Sequence, residues 1–70
     1  MPIVTIHMLE GRSKEQKKAL IKNVSSAIME TLEAPPQSVR VIIAEMPYDN
    51  YGIAGLPVLE YRQNKEKKTS

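Results

Sequence analysis

Two short β-branched runs, Ile3-Val4-Thr5-Ile6 and Val41-Ile42-Ile43, are separated by a single helix-length stretch, and this arrangement leaves the chain few ways to fold. The first run belongs to a strand from Pro2 to Met8, which ends before the turn signal Glu10-Gly11-Arg12. A helix begins at Ser13. Ser13 and Gln16 have capping-box spacing, in which each side chain bonds a first-turn backbone N–H that otherwise lacks a partner. Leu20, Ile21, Val24, Ala27, Ile28, Thr31 and Leu32 then recur at three- and four-residue intervals and form one apolar stripe. Pro35-Pro36 stops the helix, because neither residue can donate to the ladder and the residue before a proline is pushed out of the α region. The second strand covers Val39 to Met46, and Pro47-Tyr48-Asp49-Asn50 is a loop. Tyr51-Gly52-Ile53-Ala54-Gly55 reads as a short hairpin or an edge strand, whose pairing Pro57 limits. A crossover helix of this length joins parallel strands, and the connection is expected to be right-handed.

Such a β-α-β unit is incomplete by itself. One helix covers one face of a two-stranded sheet and leaves the other face and both edges open. Seventy residues bury only about 60% of the surface their unfolded chain exposes, and domains of this size depend on a disulfide, a metal or a partner copy. There is no cysteine, and His7 is the only histidine, which argues against a transition-metal site. Self-association is the remaining source of burial. No basic start leads into an apolar signal segment, and no apolar run is long enough for a membrane span; a cytoplasmic protein is expected. Residues 1–62 form the one domain and hold seven Lys or Arg against seven Asp or Glu. The net charge of +2 therefore comes from the polar tail, residues 63–70, where Lys65, Lys67 and Lys68 face only Glu66. A nucleic-acid binder needs its basic face on the folded body, so this tail is read as a disordered end.

The residues that carry chemistry start with Pro2. Removal of Met1 exposes a secondary amine at a strand end, and an apolar pocket or nearby arginines lower the pKa of such an amine towards neutrality. A neutral amine near pH 7 is a competent general base. By position alone, a proline opening a strand needs no function. Arg40 changes that reading: it interrupts the run Val39-Arg40-Val41-Ile42-Ile43, and parallel pairing places it at the same end of the sheet as Pro2. Arg12 falls at the opposite end. Strand residues rise ~3.3 Å each, which puts Arg12 roughly 23 Å from Pro2, beyond the reach of an arginine side chain. If Arg12 serves Pro2, it comes from a neighbouring subunit, and the same holds for Tyr51. Arg12, Lys14, Lys17, Lys18 and Lys22 fall within eleven residues with only Glu15 opposing them, either a solvated helix face or a positive mouth for an anionic substrate. His7 lies mid-strand and is read as structural, and Met8, Met29 and Met46 as packing residues.

With these residues in place, the chain resembles the 4-oxalocrotonate tautomerase (2-hydroxymuconate tautomerase) family of the tautomerase superfamily. The matching segments are Pro2-Ile3, Ile6-His7, Leu9-Glu10-Gly11-Arg12-Ser13, Glu15-Gln16-Lys17, Ser38-Val39-Arg40-Val41-Ile42-Ile43, Glu45-Met46 and Gly52-Ile53. The resemblance implies an α/β (α+β) fold, a β-α-β unit with a C-terminal hairpin, assembled as a homo-oligomer, typically a hexamer built as a trimer of dimers. It implies an isomerase that needs no metal or organic cofactor and acts on a dienol dicarboxylate, in the setting of aromatic-compound breakdown. Pro2 would shuttle the proton. Arg40 would hold one carboxylate and the neighbouring oxygen, and Arg12 of another subunit would bind the distal carboxylate. Tyr51, Leu9 and Ile53 would form the apolar wall, with the backbone of Ser38 nearby. The family usually carries phenylalanine where Tyr51 stands, and the Leu56-Pro57-Val58-Leu59 segment departs from its usual ending. Two other readings share the scaffold. One is hydration or dehalogenation of an unsaturated acid, with Glu10 or Asp49 activating water; the other is a catalytically silent subunit, if Met1 is retained.

Overall fold

The computed structural model describes the backbone of residues 2–69 and the side chains of residues 2–64. The elements follow in the order β1 (Ile3–Leu9), α1 (Lys14–Leu32), β2 (Arg40–Met46), β3 (Gly52–Ile53), β4 (Leu56–Pro57) and α2 (Val58–Thr69). Single 3-10 turns at Pro36–Ser38 and Tyr48–Asn50 lead into β2 and out of it.

β1 and β2 pair in parallel, with Ile3 opposite Arg40, Thr5 opposite Ile42 and Leu9 opposite Met46. Both strands start one residue later than the side-chain pattern suggests, for backbone reasons. Pro2 has no N–H and contributes only its carbonyl, which accepts from the Arg40 amide at 3.0 Å. The Val39 amide is already engaged with the Pro36 carbonyl at 3.2 Å. At the other end the Glu10 amide extends the ladder by donating to the Met46 carbonyl at 2.9 Å.

The capping box forms as its spacing requires. Ser13 Oγ accepts from the Gln16 amide at 3.1 Å, and Gln16 Oε1 accepts from the Ser13 amide at 3.0 Å. At the C-terminus the helix ends ahead of the prolines: Glu33 turns left-handed at φ 53°, two residues before the extended Pro35. α1 lies over the face of the sheet that carries Val4, Ile6, Val41 and Ile43, all half-buried. Lys17 Nζ meets Glu45 Oε1 at 3.0 Å and ties the helix to β2.

After β2 the chain makes a two-residue hairpin between β3 and β4, with Gly52 opposite Pro57 and Ile53 opposite Leu56. Ala54 and Gly55 both take positive φ, 54° and 82°, the primed-turn pattern that matches the twist of a hairpin. Beyond it the chain enters α2, an element absent from the sequence reading, which starts at Val58 and whose backbone continues to Thr69; the expected polar tail, residues 63–70, begins within this helix. Val58 seats it: its side chain is 1% exposed, the one fully buried side chain among the described residues, and its amide donates to the Tyr51 carbonyl at 2.8 Å. Tyr61 follows at i+3 and is half-buried, so the first turn has an apolar anchor and the following residues propagate from it. The side chains of Lys65, Lys67 and Lys68 lie outside the described residues.

A single chain leaves much of its apolar surface uncovered. It exposes 5631 Å², where a compact monomer of this length exposes about 4,400 Å². The open sheet face carries Ile3, 63% exposed, and Ile42, 50% exposed. No helix among the described residues is long and apolar enough to cross a membrane.

Candidate active site

The residues singled out in the sequence collect at two poles of the sheet. At the first pole stand Pro2, Ser38 and Arg40. Pro2 is half-buried, and its carbonyl is held by the Arg40 amide. The Pro36–Ser38 turn closes over this end: the Ser38 amide and Oγ both donate to the Pro35 carbonyl, at 3.0 and 2.8 Å. Arg40 Nη1 donates to the Gln37 carbonyl, which folds the guanidinium back over the turn and keeps it at the proline's end of the sheet. The first pole thus brings Pro2, the Arg40 guanidinium folded over the Pro36–Ser38 turn, and the backbone of that turn to one end of the sheet.

The second pole lies at the other end of β1. Leu9, Glu10, Gly11, Arg12, Gln16, Tyr48, Tyr51 and Arg62 contribute to the lining of a cavity of about 550 Å³. Gly11 takes φ 119°, a value that a side chain would strain, and this turn swings Arg12 from the end of β1 towards the cavity. Three expected residues, Leu9, Arg12 and Tyr51, therefore meet here. The seven-residue β1 strand separates this group from Pro2 by roughly 20 Å. Ile53 lines neither pole in the isolated chain; it is half-buried in the hairpin opposite Leu56. Of the two carboxylates considered for water activation, Glu10 lines the cavity and Asp49 does not.

Tyr48 and Arg62 were not among the residues picked out from the sequence. Tyr48 follows β2 in what reads as an ordinary turn, and Arg62 sits on a helix that the polar composition conceals. A usable signal was the spacing Val58, Tyr61, Arg62, which puts all three on one helical face. The cationic stretch resolves into parts: Lys17 pairs with Glu45, while Lys14 and Lys18 flank the same shallow groove beside Ile21 and Ile43. His7 is exposed on the open sheet face, opposite Ala44 and away from both poles, and Met8, Met29 and Met46 are half-buried. Among the described residues no three His, Asp or Glu side chains cluster as metal ligands do.

A β-α-β unit closed by a short C-terminal hairpin is the architecture of a small tautomerase. The model of the family described as "Tautomerase enzyme" matches residues 2–61, and the chain belongs to that family. The 2-hydroxymuconate tautomerase of Stutzerimonas stutzeri is 62% identical over 55 residues, which cover 79% of this chain and 87% of that protein. Among solved structures, a 4-oxalocrotonate tautomerase isozyme from Methylibium petroleiphilum is 30% identical with a TM-score of 0.83, covering 90% of this chain and 98% of its own. A heterohexamer 4-oxalocrotonate tautomerase from Chloroflexus aurantiacus is 38% identical with a TM-score of 0.81, covering 86% and 97%.

Proposed function

We propose that this tautomerase ketonises 2-hydroxymuconate or a similar dienol dicarboxylate, using the amine that Pro2 exposes once Met1 is removed. The Pro2 nitrogen takes the proton of the 2-hydroxyl group. The O–H electron pair becomes the carbonyl π bond, and the displaced π electrons move along the diene to the distal carbon. That carbon then takes the proton back from the prolinium, so the amine is regenerated and atoms and charge balance. Arg40 pairs with the carboxylate next to the hydroxyl and stabilises the oxygen as it gains charge, and Ser38 lends its backbone to the same end. Arg12 of a neighbouring subunit holds the distal carboxylate and draws electron density towards the carbon being protonated. Leu9, Tyr51 and Ile53 wall the space between, where a less polar setting favours the neutral amine.

The observation that carries this reading is the parallel register that sets Arg40 beside Pro2 while Arg12 and Tyr51 collect at the opposite pole. Two half-sites too far apart to cooperate within one chain are brought together when chains pack pole to pole. The exposed Ile3 and Ile42 and the excess surface of the lone chain support such an assembly, and a hexamer, like the one named for the Chloroflexus aurantiacus enzyme, supplies it.

The test joins intact mass to absorbance kinetics. The native protein is expected to lack Met1 and to convert 2-hydroxymuconate to its conjugated ketone, and Pro2→Ala is expected to lose about 10²-fold or more in kcat/KM. A Pro2→Ala enzyme turning over at nearly the wild-type rate would overturn the mechanism. Preferential turnover of a haloacrylate would instead mark a dehalogenase.

A further inference from the structure

The second pole holds more hydrogen-bond donors than a single carboxylate-binding arginine requires. Tyr48 and Tyr51 bracket one 3-10 turn, with the Tyr51 amide donating to the Tyr48 carbonyl at 3.2 Å. In a 3-10 turn, residues three apart project to the same side, and both tyrosines line the cavity that Arg12 enters. The phenol oxygen of Tyr48 lies 3.9 Å from the place a β-carbon on Gly11 would occupy. Gly11 thus presents bare backbone to that hydroxyl, and the phenol stands directly over the turn that carries Arg12. Tyr48 is half-buried while its neighbours Asp49 and Asn50 are exposed, so its ring is held against the protein. Among the described residues, neither Arg12 nor the Tyr48 hydroxyl takes part in a side-chain hydrogen bond or an ion pair.

We propose that Tyr48 is a specificity-determining residue: its hydroxyl donates to the distal carboxylate that Arg12 seats, and it biases the enzyme towards dicarboxylic over monocarboxylic enols. This rests on the tautomerase reading above, with Arg12 as the distal ligand. A carboxylate has about four lone-pair directions, and a guanidinium fork meets two of them. A neutral phenol suits a remaining direction without adding charge. Selectivity then comes from both sides of the comparison. The diacid satisfies the phenol, while a monoacid would seat an apolar end against it and leave a donor unmatched, the arrangement that polar sites reject most strongly.

The experiment compares Tyr48→Phe with the wild-type oligomer on 2-hydroxymuconate and on 2-hydroxy-2,4-pentadienoate, which lacks the distal carboxylate. Phenylalanine keeps the ring and removes only the donor. The expected result is a fall of about tenfold in kcat/KM for the diacid, expressed mainly in KM, with the monoacid gaining a few-fold because the unmatched donor is gone. Inhibition by adipate, but not by hexanoate, should weaken by a similar factor, which reads binding without chemistry. An unchanged diacid-to-monoacid ratio, or an equal loss on both substrates, overturns the proposal. Failure of the underlying reading looks different: the wild-type enzyme then turns over neither enol, or Pro2→Ala remains active, and the assignment of Tyr48 falls with it.

Discussion

The amide of Arg40 donates to the carbonyl of Pro2 at 3.0 Å, so the residue proposed as base and the residue proposed to steady the reacting oxygen are joined through the backbone of adjacent strands. The bond uses no side-chain atom of Arg40, which allows chemistry and fold to be separated by mutation. Arg40→Gln is expected to lower kcat/KM on a dienol diacid by about 10²-fold while leaving thermal stability within a few degrees of wild type. Arg40→Lys is expected to recover little of the loss, because an ammonium cannot offer the planar fork that matches a carboxylate and its neighbouring oxygen. Steady-state kinetics with a melting curve for each variant check this, and wild-type kcat/KM in Arg40→Gln would remove Arg40 from the site.

Ile42 offers a test of assembly. It is 50% exposed at the centre of the open sheet face, opposite Thr5 and two residues along from the Ile3–Arg40 pair. If this face packs against another copy, Ile42→Asp places an unpaired carboxylate in an apolar contact. Sedimentation velocity is expected to show a shift to smaller species and activity to fall with it, since each site draws on more than one chain. A variant that sediments and turns over as wild type would show that this face is free in the assembly.

The β3–β4 turn carries a correctable strain. Ala54 is held at φ 54°, where the β-carbon crowds the following carbonyl, and this costs about 1 kcal/mol or more relative to residues that tolerate the region. Ala54→Asn is expected to raise stability by about 0.5–1 kcal/mol. Gly55→Ala is the opposite control. A β-carbon there meets nothing within 4 Å, so any loss comes from φ 82° alone, and a loss of about 1 kcal/mol is expected. Thermal unfolding at fixed protein concentration reads both, and a destabilised Ala54→Asn would contradict the backbone account.

The parts of this molecule that rest on local chemistry are legible in its sequence. Ser13 and Gln16 satisfy one another across a single turn, so their spacing is enough to place the start of α1. Parallel pairing follows from the length of the crossover, and the distance between Pro2 and Arg12 from the rise of a strand. Strand ends shift by one residue because Pro2 lacks a donor and the Val39 amide is committed to the Pro36 carbonyl, which side-chain pattern does not encode. α2 escapes detection for another reason. Its anchor is one buried side chain, Val58, and one backbone bond to Tyr51, a contact that exists only once the hairpin has turned the chain back. Arg62 joins the second pole through that same long-range closure, whereas Tyr48 is set over Gly11 by the pairing of Leu9 with Met46, and so both residues missed are placed by contacts distant in sequence.

The separation of the poles gives the most discriminating prediction. Pro2→Ala replaces the secondary amine proposed as base at the first pole of its chain with a less rigidly held primary amine, and leaves Arg12 intact at the second. Arg12→Ala does the reverse. Each variant alone is expected to be nearly inactive, the second because the distal carboxylate loses its guanidinium partner. When the two are co-expressed and assemble together, some sites combine the Pro2 pole of an Arg12→Ala chain with the Arg12 pole of a Pro2→Ala chain, and such sites are complete. Co-purified mixed oligomers are therefore expected to recover a substantial fraction of wild-type kcat, well above the sum of the two parents. Oligomers of each variant purified separately and mixed without exchange should show no recovery. If both functions were drawn from one chain, every chain in the mixture would carry a defect in its own site and no gain could appear. Recovery of activity thus reports directly on which chain supplies the arginine, and its absence in verified mixed oligomers would return Arg12 to a role outside the site of Pro2.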